Sequence, residues 1–298
     1  MPPTIPSPKL QIPLEPLTPA FFAPYGSVIE NPARYPNHTT TLESITANQG
    51  SATKYLDVTH VTDYYSLAPS RQNAKVVMNM FVCAPRKLRD AAVTINPTSA
   101  GTKVGSKKQL FDVKILERHP FTSQTFIPIG LSAEDKETRY LVIVAPTLPV
   151  SRDRKAQARP PPFPEPALRP KRNLLDMFSR ARPSPFTNST DPPVSSRDAK
   201  GPPKRPKGPG LPDLTGLKAF IANGNQAVTY AAGTWHAPMA VLGKDAVDFV
   251  VVQFANGVGL EDCQEVLLGQ EGEGGIVVEL DIVGGVVVEG GGTVRAKL

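Results

Sequence analysis

Residues 110–129 read LFDVKILERHPFTSQTFIPI, and this stretch decides the predicted fold. Within a predicted strand over Lys108–His119, three apolar residues and then Glu117 and His119 share one parity, which is the side-chain period of a β-strand. The proline that follows ends this strand, and the run that begins at Gln124 is predicted to return beside it. The pattern therefore predicts that Glu117, His119 and Gln124 lie together on an inward-facing surface.

Other parts of the chain repeat this β pattern. Short runs of β-branched or aromatic residues, separated by Pro, Gly or Asn, predict a mainly β fold, an antiparallel barrel or sandwich. The pair Asn223-Gly224 predicts a hairpin between two of the runs. Thr18 before Pro19 predicts the N-cap of a short helix over 19–23. The predicted strands are Val76–Cys83, Lys108–His119, Gln124–Ile129, Tyr140–Ala145, Leu217–Ala222, Gln226–Tyr230, Met239–Leu242 and Val247–Phe254.

The prolines and basic residues are concentrated in residues 151–212. This segment holds 15 of the 33 prolines and 14 Lys or Arg against 5 Asp or Glu, a net charge of +9. Since the whole chain carries +6, the remainder carries −3. So basic and proline-rich a segment has too little apolar surface to fold and is predicted to be a disordered insert. Its cations alternate with proline and lack interleaved aromatic residues, which argues against a nucleic-acid site.

The insert divides one predicted domain into two parts. Residues 1–150 and 213–280 are predicted to form the two halves of a single barrel, with 151–212 looping out between them and 281–298 as a Gly/Val-rich tail. Loop closure costs only ~0.6 kcal/mol per doubling of length, so a barrel tolerates such an insertion. The Val-rich runs before and inside the tail leave two alternatives open, further strands or a frayed appendage.

A second motif, Gly233-Thr234-Trp235-His236-Ala237-Pro238, lies more than a hundred residues after the first. The spacing E-x-H-x4-Q of the first motif resembles the first cupin motif, H-x-H-x4-E, and His236 matches the lone histidine of the second cupin motif. This resemblance implies a metal set of Glu117, His119, Gln124 and His236. Imidazole ligands favour nickel, zinc or iron over magnesium. The two departures from the cupin ligands leave a metal-free acid/base site equally open.

Five blocks of the chain, in order, resemble the ureidoglycolate lyase family, formerly named ureidoglycolate hydrolase, in a fungal-like form with a long insert. The resemblance covers roughly 10–145 and 213–268. It implies a cupin-type (RmlC-like) barrel or jelly roll that splits ureidoglycolate into glyoxylate and urea in allantoin breakdown, and it implies a homodimer. The blocks are Lys9–Gln11 to Pro24–Gly26, Leu116–Pro120 to Phe126–Pro128, Lys218–Gly224, Thr234–His236 and Asp262–Cys263.

The implied reaction needs one base and one acid. Ureidoglycolate is a carbinolamide, so removal of its hydroxyl proton with protonation of the urea nitrogen releases an aldehyde and urea. One of His119, His236 or Glu117 is predicted to act as the base and another as the acid. No organic cofactor is required.

Further residues near the motifs are assigned supporting roles. Gln124 and Tyr230 are predicted to hydrogen-bond to the substrate. Lys218 either pairs with the substrate carboxylate or has an outward structural role. Trp235 is predicted to line the pocket. Cys263 is predicted to be structural, because its acidic neighbours raise rather than lower the pKa of its thiol.

Two other functions remain as alternatives to a lyase. One is a cupin enzyme of the sugar isomerase or epimerase type, since a fold does not fix its chemistry. The other is a non-enzymatic barrel whose basic insert binds polyanions. Two cysteines in unlike contexts and the lack of a run of ~20 apolar residues predict a cytoplasmic protein without membrane contact.

Overall fold

The computed structural model describes residues 1–38, 42–91, 107–149, 163, 207–270, 275–283 and 286–288. Within these residues the chain forms twenty strands and two four-residue helices, so the predicted mainly β class is confirmed. The strands are β1 (Thr4–Ser7), β2 (Leu10–Ile12), β3 (Leu14–Pro16), β4 (Gly26–Glu30), β5 (Ser44–Ala47), β6 (Ala52–Tyr55), β7 (Lys75–Cys83), β8 (Arg89–Asp90), β9 (Lys107–Val113), β10 (Ile115–Arg118), β11 (Gln124–Ile129), β12 (Arg139–Ala145), β13 (Lys218–Ala222), β14 (Gln226–Tyr230), β15 (Trp235–His236), β16 (Ala240–Leu242), β17 (Val247–Ala255), β18 (Gln264–Gln270), β19 (Ile276–Val283) and β20 (Val286–Val288). The helices are α1 (Pro19–Phe22) and α2 (Gly259–Asp262).

Three sheets form layers, with an eight-stranded sheet in the middle. The central sheet runs β1-β18-β10-β15-β12-β13-β3, and β16 also pairs with β12. The front sheet runs β4-β14-β11-β17-β7, and the back sheet runs β2-β19-β9-β8 with β20 on β19. Strands β5 and β6 form a separate two-stranded ribbon. Most pairs are antiparallel, although β1, β2 and β3 each join a sheet in parallel.

The central sheet has an apolar core on each side, as strand β12 shows. Leu141 and Ile143 pack in one cluster with residues of the back sheet. Val142 and Val144, which alternate with them, pack in a second cluster with residues of the front sheet. This alternation is what a strand buried on both faces requires. The layers agree with a cupin-like β fold, but each hydrogen-bonded path ends in edge strands and none closes into a ring within the described residues.

The predicted strand over 108–119 is divided in two. Strand β9 ends at Val113 and belongs to the back sheet, whereas β10 begins at Ile115 in the central sheet. The break at Lys114 changes the side-chain parity, so Val113 and Leu116 share the core between the central and back sheets. The single inward row from residue 111 to Glu117 was therefore wrong, and Glu117 faces the opposite way from the apolar residues of β9.

The hairpin predicted at Asn223-Gly224 was also wrong. Strand β13, before it, pairs with β12 and β3, whereas β14, after it, pairs with β11 and β4, so the turn passes from the central to the front sheet. A Cβ on Gly224 would lie 2.7 Å from the carbonyl oxygen of Leu131. The glycine is therefore needed for close packing and not for a hairpin turn. The predicted short helix is confirmed: Thr18 Oγ1 accepts from the N–H of Phe21 at 3.2 Å at the start of α1.

The described parts of the predicted insert pack on the core. Phe163 is buried, Leu211 packs against the core, and the N–H of Leu148 donates to the carbonyl of Leu211 at 2.8 Å. Disorder was therefore the wrong prediction for 163 and 207–212, because these residues find apolar and hydrogen-bonding partners far away in the sequence. The rest of the insert, 151–162 and 164–206, lies outside the described residues.

The region after 275 forms strands up to residue 288. Strand β19 pairs with β9 over seven residues and with β2, and Val278 and Leu280 are fully buried. The predicted boundary at 280 thus falls inside a strand, and the alternative of a frayed appendage fails for 275–283. Residues 289–298 lie outside the described residues. No helix in the described part of the chain has the length and apolar character needed to cross a membrane.

Candidate active site

Two rows of polar side chains face each other between the central and front sheets. In each row the members are direct neighbours on adjacent strands and therefore share one face of their sheet. His236 Nε2 lies 3.1 Å from Gln124 Oε1, so the two rows meet. The rows are Glu265, Glu117 and His236 in the central sheet, and Tyr230, Gln124 and Gln253 in the front sheet.

His236 is buried at the meeting point of the rows. Its Nδ1 lies 2.9 Å from the carbonyl oxygen of Thr234, so this nitrogen donates. Its Nε2 faces two acceptors, Gln124 Oε1 at 3.1 Å and Glu117 Oε1 at 3.5 Å. The ring of Tyr230 stacks on the imidazole with centroids 4.0 Å apart and an angle of 11°. Both ring nitrogens of His236 therefore face oxygen atoms that can accept a hydrogen bond.

His119 follows β10 and presents one free nitrogen. Its Nδ1 donates to the carbonyl oxygen of Asp262 at 2.6 Å, while its Nε2 is buried and has no hydrogen-bond partner among the described residues. Its carbonyl accepts from the N–H of Gly233 at 2.8 Å, which ties the two sequence motifs together. Burial, and then the charge of His236, lower the pKa of His119 to about 4, against the opposing effect of Glu117. The ring is therefore neutral at neutral pH and offers a lone pair at Nε2.

Glu117 on β10 is paired directly with His236 on β15, and the charges of both His236 and His119 act on its carboxyl group. Burial raises the pKa of this carboxyl, but the hydrogen bond and charge of His236 outweigh burial and leave the pKa below its ordinary value. Glu117 is thus ionised, in contact with an imidazole on one side and with Glu265 as its neighbour on the other.

Gln124 and Tyr230 complete the front-sheet row. The Gln124 amide nitrogen donates to Gln253 Oε1 at 2.8 Å, so both ends of this amide are engaged. The hydroxyl of Tyr230 is buried and finds no hydrogen-bond partner in the described part of the chain, and burial raises its pKa well above the ordinary value. The Tyr230 hydroxyl is therefore a neutral group whose donor is unsatisfied.

Two predicted site residues lie elsewhere. Lys218 and His236 lie on the two strands that flank β12, and both are paired in register with Val144. The Lys218 ammonium, however, pairs with Glu15 Oε1 at 2.6 Å. The surface role is the one its contacts support. Trp235 is fully buried on the other face of the sheet from His236, because successive residues of β15 point in opposite directions. It therefore does not line the space between the rows.

Sequence reasoning missed the support of His119. The Tyr65 hydroxyl donates to Asp262 Oδ1 at 2.6 Å, and the N–H groups of Asn256 and Gly257 donate to the two oxygens of the same carboxylate. These bonds fix the short α2 turn whose last carbonyl holds His119 Nδ1. Nothing in the local sequence around Tyr65 predicts this contact across 197 positions.

Glu265 and Cys263 were also missed as neighbours of Glu117. The Cys263 thiol and the two carboxylates lie within 4.8 Å of one another. Burial, followed by Glu117, Glu265 and Asp262, raises the pKa of Cys263 to about 12, which confirms the predicted direction. The two-residue spacing of Cys263, which directly precedes β18 in an extended conformation, and Glu265 within β18 was the available signal, because it places both side chains on one face.

The donor set fits a divalent metal ion. Ligand atoms of Glu117, His119 and His236 lie within 4.8 Å of one another, and His119 Nε2 is a buried nitrogen without another partner. Two imidazoles with one carboxylate suit a transition ion. Gln124 is less suited than predicted, since its oxygen and nitrogen already contact His236 and Gln253.

A model of the family described as ureidoglycolate lyase matches residues 9–273. The chain belongs to the ureidoglycolate lyase family. It is 29% identical over 248 residues to the ureidoglycolate lyase of Schizosaccharomyces pombe, across 83% of this chain and 86% of the relative. It is 29% identical over 240 residues to that of Saccharomyces cerevisiae, across 80% and 83%. A bacterial relative, the ureidoglycolate lyase of Burkholderia mallei, is 24% identical over 239 residues, across 80% and 79%. The predicted family is confirmed.

Proposed function

We propose that this chain is a ureidoglycolate lyase that releases glyoxylate and urea by acid/base-assisted cleavage of a carbon–nitrogen bond, in allantoin breakdown. Family membership over residues 9–273 supports the substrate. The observation that carries the mechanism is the pair of imidazoles with opposite hydrogen-bonding states, His119 with a free Nε2 and His236 with acceptors on both nitrogens. One ring suits a base and the other suits an acid. Membership of this family also argues against the alternative of a sugar isomerase or epimerase.

His119 is the proposed base. Its Nδ1 proton is held by the Asp262 carbonyl, which fixes the orientation of a ring that lies close to Glu117 and His236 and leaves the lone pair at Nε2. That nitrogen takes the hydroxyl proton of the substrate, the oxygen forms the aldehyde carbonyl, and the bond to the urea nitrogen breaks. Positioned proton transfer of this kind contributes about 10²- to 10⁴-fold to a rate.

His236 is the proposed acid. The electron pair of the broken bond goes to the urea nitrogen, which takes the proton of His236 Nε2. Glu117 at 3.5 Å stabilises the charged ring before this transfer. The Tyr230 hydroxyl, which has no partner among the described residues, and the second N–H of the Gln124 amide, which its bond to Gln253 leaves unused, are proposed to hydrogen-bond to the urea group and hold the substrate.

The substrate carboxylate needs positive charge, and three basic residues near the site in the described part of the chain do not supply it. Arg118 lies on the other face of the sheet, Lys218 pairs with Glu15, and the Lys207 ammonium donates to Thr234 Oγ1 and the Pro24 carbonyl. A divalent ion of the nickel or zinc type, held by Glu117, His119 and His236, would supply that charge. A doubly protonated His236 cannot bind a metal, so the metal and metal-free forms of the proposal are mutually exclusive.

Product analysis tests the reaction. Purified protein incubated with racemic ureidoglycolate should release glyoxylate and urea in equal amounts, with no ammonia. Ammonia formed in step with glyoxylate would indicate an amidohydrolase and contradict the lyase proposal.

Metal removal decides between the two forms. In the metal form, chelator abolishes turnover, nickel or zinc restores it, and calorimetry of the stripped protein shows one bound ion that Glu117→Gln weakens. Full turnover by a metal-free protein would leave the acid/base form. The homodimer and the cytoplasmic location stay predictions.

A further inference from the structure

The strand that carries His236 is short and lies between two longer strands. Strand β15 has two residues, which both pair with β12, whereas its pairing with β10 consists of the single register pair Glu117 and His236. A strand this short depends on side-chain packing for its position. The side chains that pack it are those of Arg118 and Trp235, which follow Glu117 and precede His236 in the chain and point to the reverse face of the central sheet.

On that face Arg118 and Trp235 form a stack that described residues of the 151–212 segment, Phe163 and 208–210, complete. The guanidinium lies 4.4 Å from the Trp235 ring centroid and 5.4 Å from that of Phe163. The rings of Phe163 and Trp235 have centroids 5.7 Å apart. Arg118 Nη1 donates to the carbonyls of Gly208 and Gly210 at 2.7 and 2.9 Å, and Trp235 Nε1 donates to the Gly210 carbonyl at 3.1 Å.

This arrangement links three strands to one segment. Arg118 Nε also donates to Gln264 Oε1 at 2.9 Å, so one guanidinium joins β10, β15 and β18 to residues 208–210. Gly210 is needed for the close approach, because a Cβ there would lie 2.0 Å from the carbonyl oxygen of Leu148.

Packing alone does not explain an arginine here. Arg118 is fully buried, no carboxylate among the described residues pairs with it, and its Nη2 has no hydrogen-bond partner. A buried cation without a counter-charge is costly, and an apolar side chain would fill the same space at lower cost. The planar fork of the guanidinium, however, fixes several carbonyls at once and stacks on an aromatic ring.

We propose that Arg118, Trp235, Phe163 and the 208–210 backbone form a reverse-face clamp that positions Glu117 against His236. Arg118 and Phe163 are then positioning residues for the reaction proposed above, on which this inference rests. The segment 151–212 is accordingly not wholly dispensable: its described ends belong to the catalytic unit.

Fluorescence gives a direct readout of the clamp, since Trp235 is the only tryptophan of the chain. Phe163→Ala should shift the emission of Trp235 and lower kcat by at least about 5-fold with KM changed less than about 2-fold, because misplaced catalytic groups slow the chemical step. Phe163→Leu should recover most of kcat by refilling the space. Phe21→Ala, which removes the same side chain from an exposed site, is the matched control and should change neither quantity.

Two deletions separate the clamp from the rest of the segment. Replacing 164–206 by a short Gly/Ser linker keeps Phe163 and 207–212, and it should preserve the emission of Trp235 and turnover. Replacing 151–212 removes both clamp ends, and it should shift the emission and lower kcat at least as much as Phe163→Ala.

The outcomes are distinct for the clamp and for the proposed function. If Phe163→Ala leaves both the emission and kcat unchanged, or if the two deletions behave alike, the clamp is overturned. If the variant shifts emission with kcat unchanged, the contact exists but the positioning role is overturned. Wild-type protein without lyase turnover would overturn the proposed function, while the emission of the same variants would still test the contact.

Discussion

Glu117 and Arg118 are adjacent charged residues that lie on opposite faces of the central sheet. Their side chains have different kinds of partner. On the front face, Glu117 contacts an imidazole at 3.5 Å, and the other imidazole keeps a free Nε2. On the reverse face, Arg118 is held by fixed carbonyls and aromatic rings. Groups that exchange protons need partners that can change state, whereas a clamp needs partners that cannot. The comparison indicates that the front face of the central sheet carries the proton-transfer groups and that the reverse face positions them.

The largest effect is expected on the front face. His119→Ala and His236→Ala should each lower kcat by at least about 10²-fold, because each removes a proton-transfer group. Steady-state kinetics with racemic substrate measures this, and circular dichroism checks the fold. His60→Ala, at an exposed histidine, is the control and should keep normal turnover. A well-folded His119→Ala or His236→Ala protein with near-normal kcat would remove that residue from the mechanism.

The two faces should also differ in their response to acid. Burial lowers the pKa of His119 to about 4, whereas an unfolded chain binds this proton near pH ~6.5. Its contribution to the unfolding free energy is thus present above pH ~6.5 and is lost as the pH falls towards 4, on the order of 2 to 3 kcal/mol. Burial lowers the pKa of Arg118 only to about 9, so this residue adds no slope in that range.

Urea denaturation at several pH values, with chelator present, measures this slope. Other carboxyl groups contribute to it in every variant, so the comparison is between wild type and His119→Gln. The variant should show the shallower loss of stability between pH 7 and 4.5. Equal slopes would mean that His119 is protonated in the folded protein.

A smaller effect is expected at Tyr65, which supports His119 indirectly through Asp262. Tyr65→Phe removes the hydrogen bond to Asp262, and this bond fixes the turn that holds His119 Nδ1. We expect kcat to fall about 3- to 10-fold and the unfolding free energy to fall by about 1 to 2 kcal/mol.

Tyr35→Phe provides the matched control for Tyr65→Phe. It removes a tyrosine hydrogen bond to Asn225 at 2.8 Å. It should affect stability without lowering kcat. Equal kcat losses in the two variants would assign Tyr65 a general rather than a local role.

The sequence predicted the meeting of the two motifs better than it predicted the path of the chain. Parity within β10 correctly placed Glu117 on the face that it shares with His236. The predicted return of β11 beside this strand was wrong, because β11 pairs with β14 and β17 in the front sheet and Gln124 meets His236 across the two sheets. The catalytic roles of these residues stay predictions. The break at Lys114 could not be seen, because no Pro or Gly marks it and the two strands differ only in the distant strands with which they pair. Sheet membership is decided by long-range pairing.

The reverse face was not predictable from composition. A basic, proline-rich segment has the statistics of a solvated linker, and only a buried aromatic, Phe163, and two glycine carbonyls distinguish its ends. Those contacts join positions up to 92 apart in the chain and leave no local pattern. The hairpin failed for a related reason, since an Asn-Gly pair predicts the turn but not which strands pair on either side.

The smallest effect is expected at Lys218, at the far end of the row that carries Glu117 and His236. Its ammonium is about half exposed and pairs with Glu15, an arrangement that contributes at most about 1 kcal/mol to stability. Lys218→Ala should therefore change kcat and KM by less than about 2-fold, since the pair can be lost without moving the site. Steady-state kinetics of Lys218→Ala and Glu15→Ala measures this, because a surface pair predicts that both variants behave alike. A rise in KM for ureidoglycolate in Lys218→Ala alone would mean that the ammonium leaves Glu15 to bind the substrate carboxylate, and the front face would then extend across the full width of the central sheet.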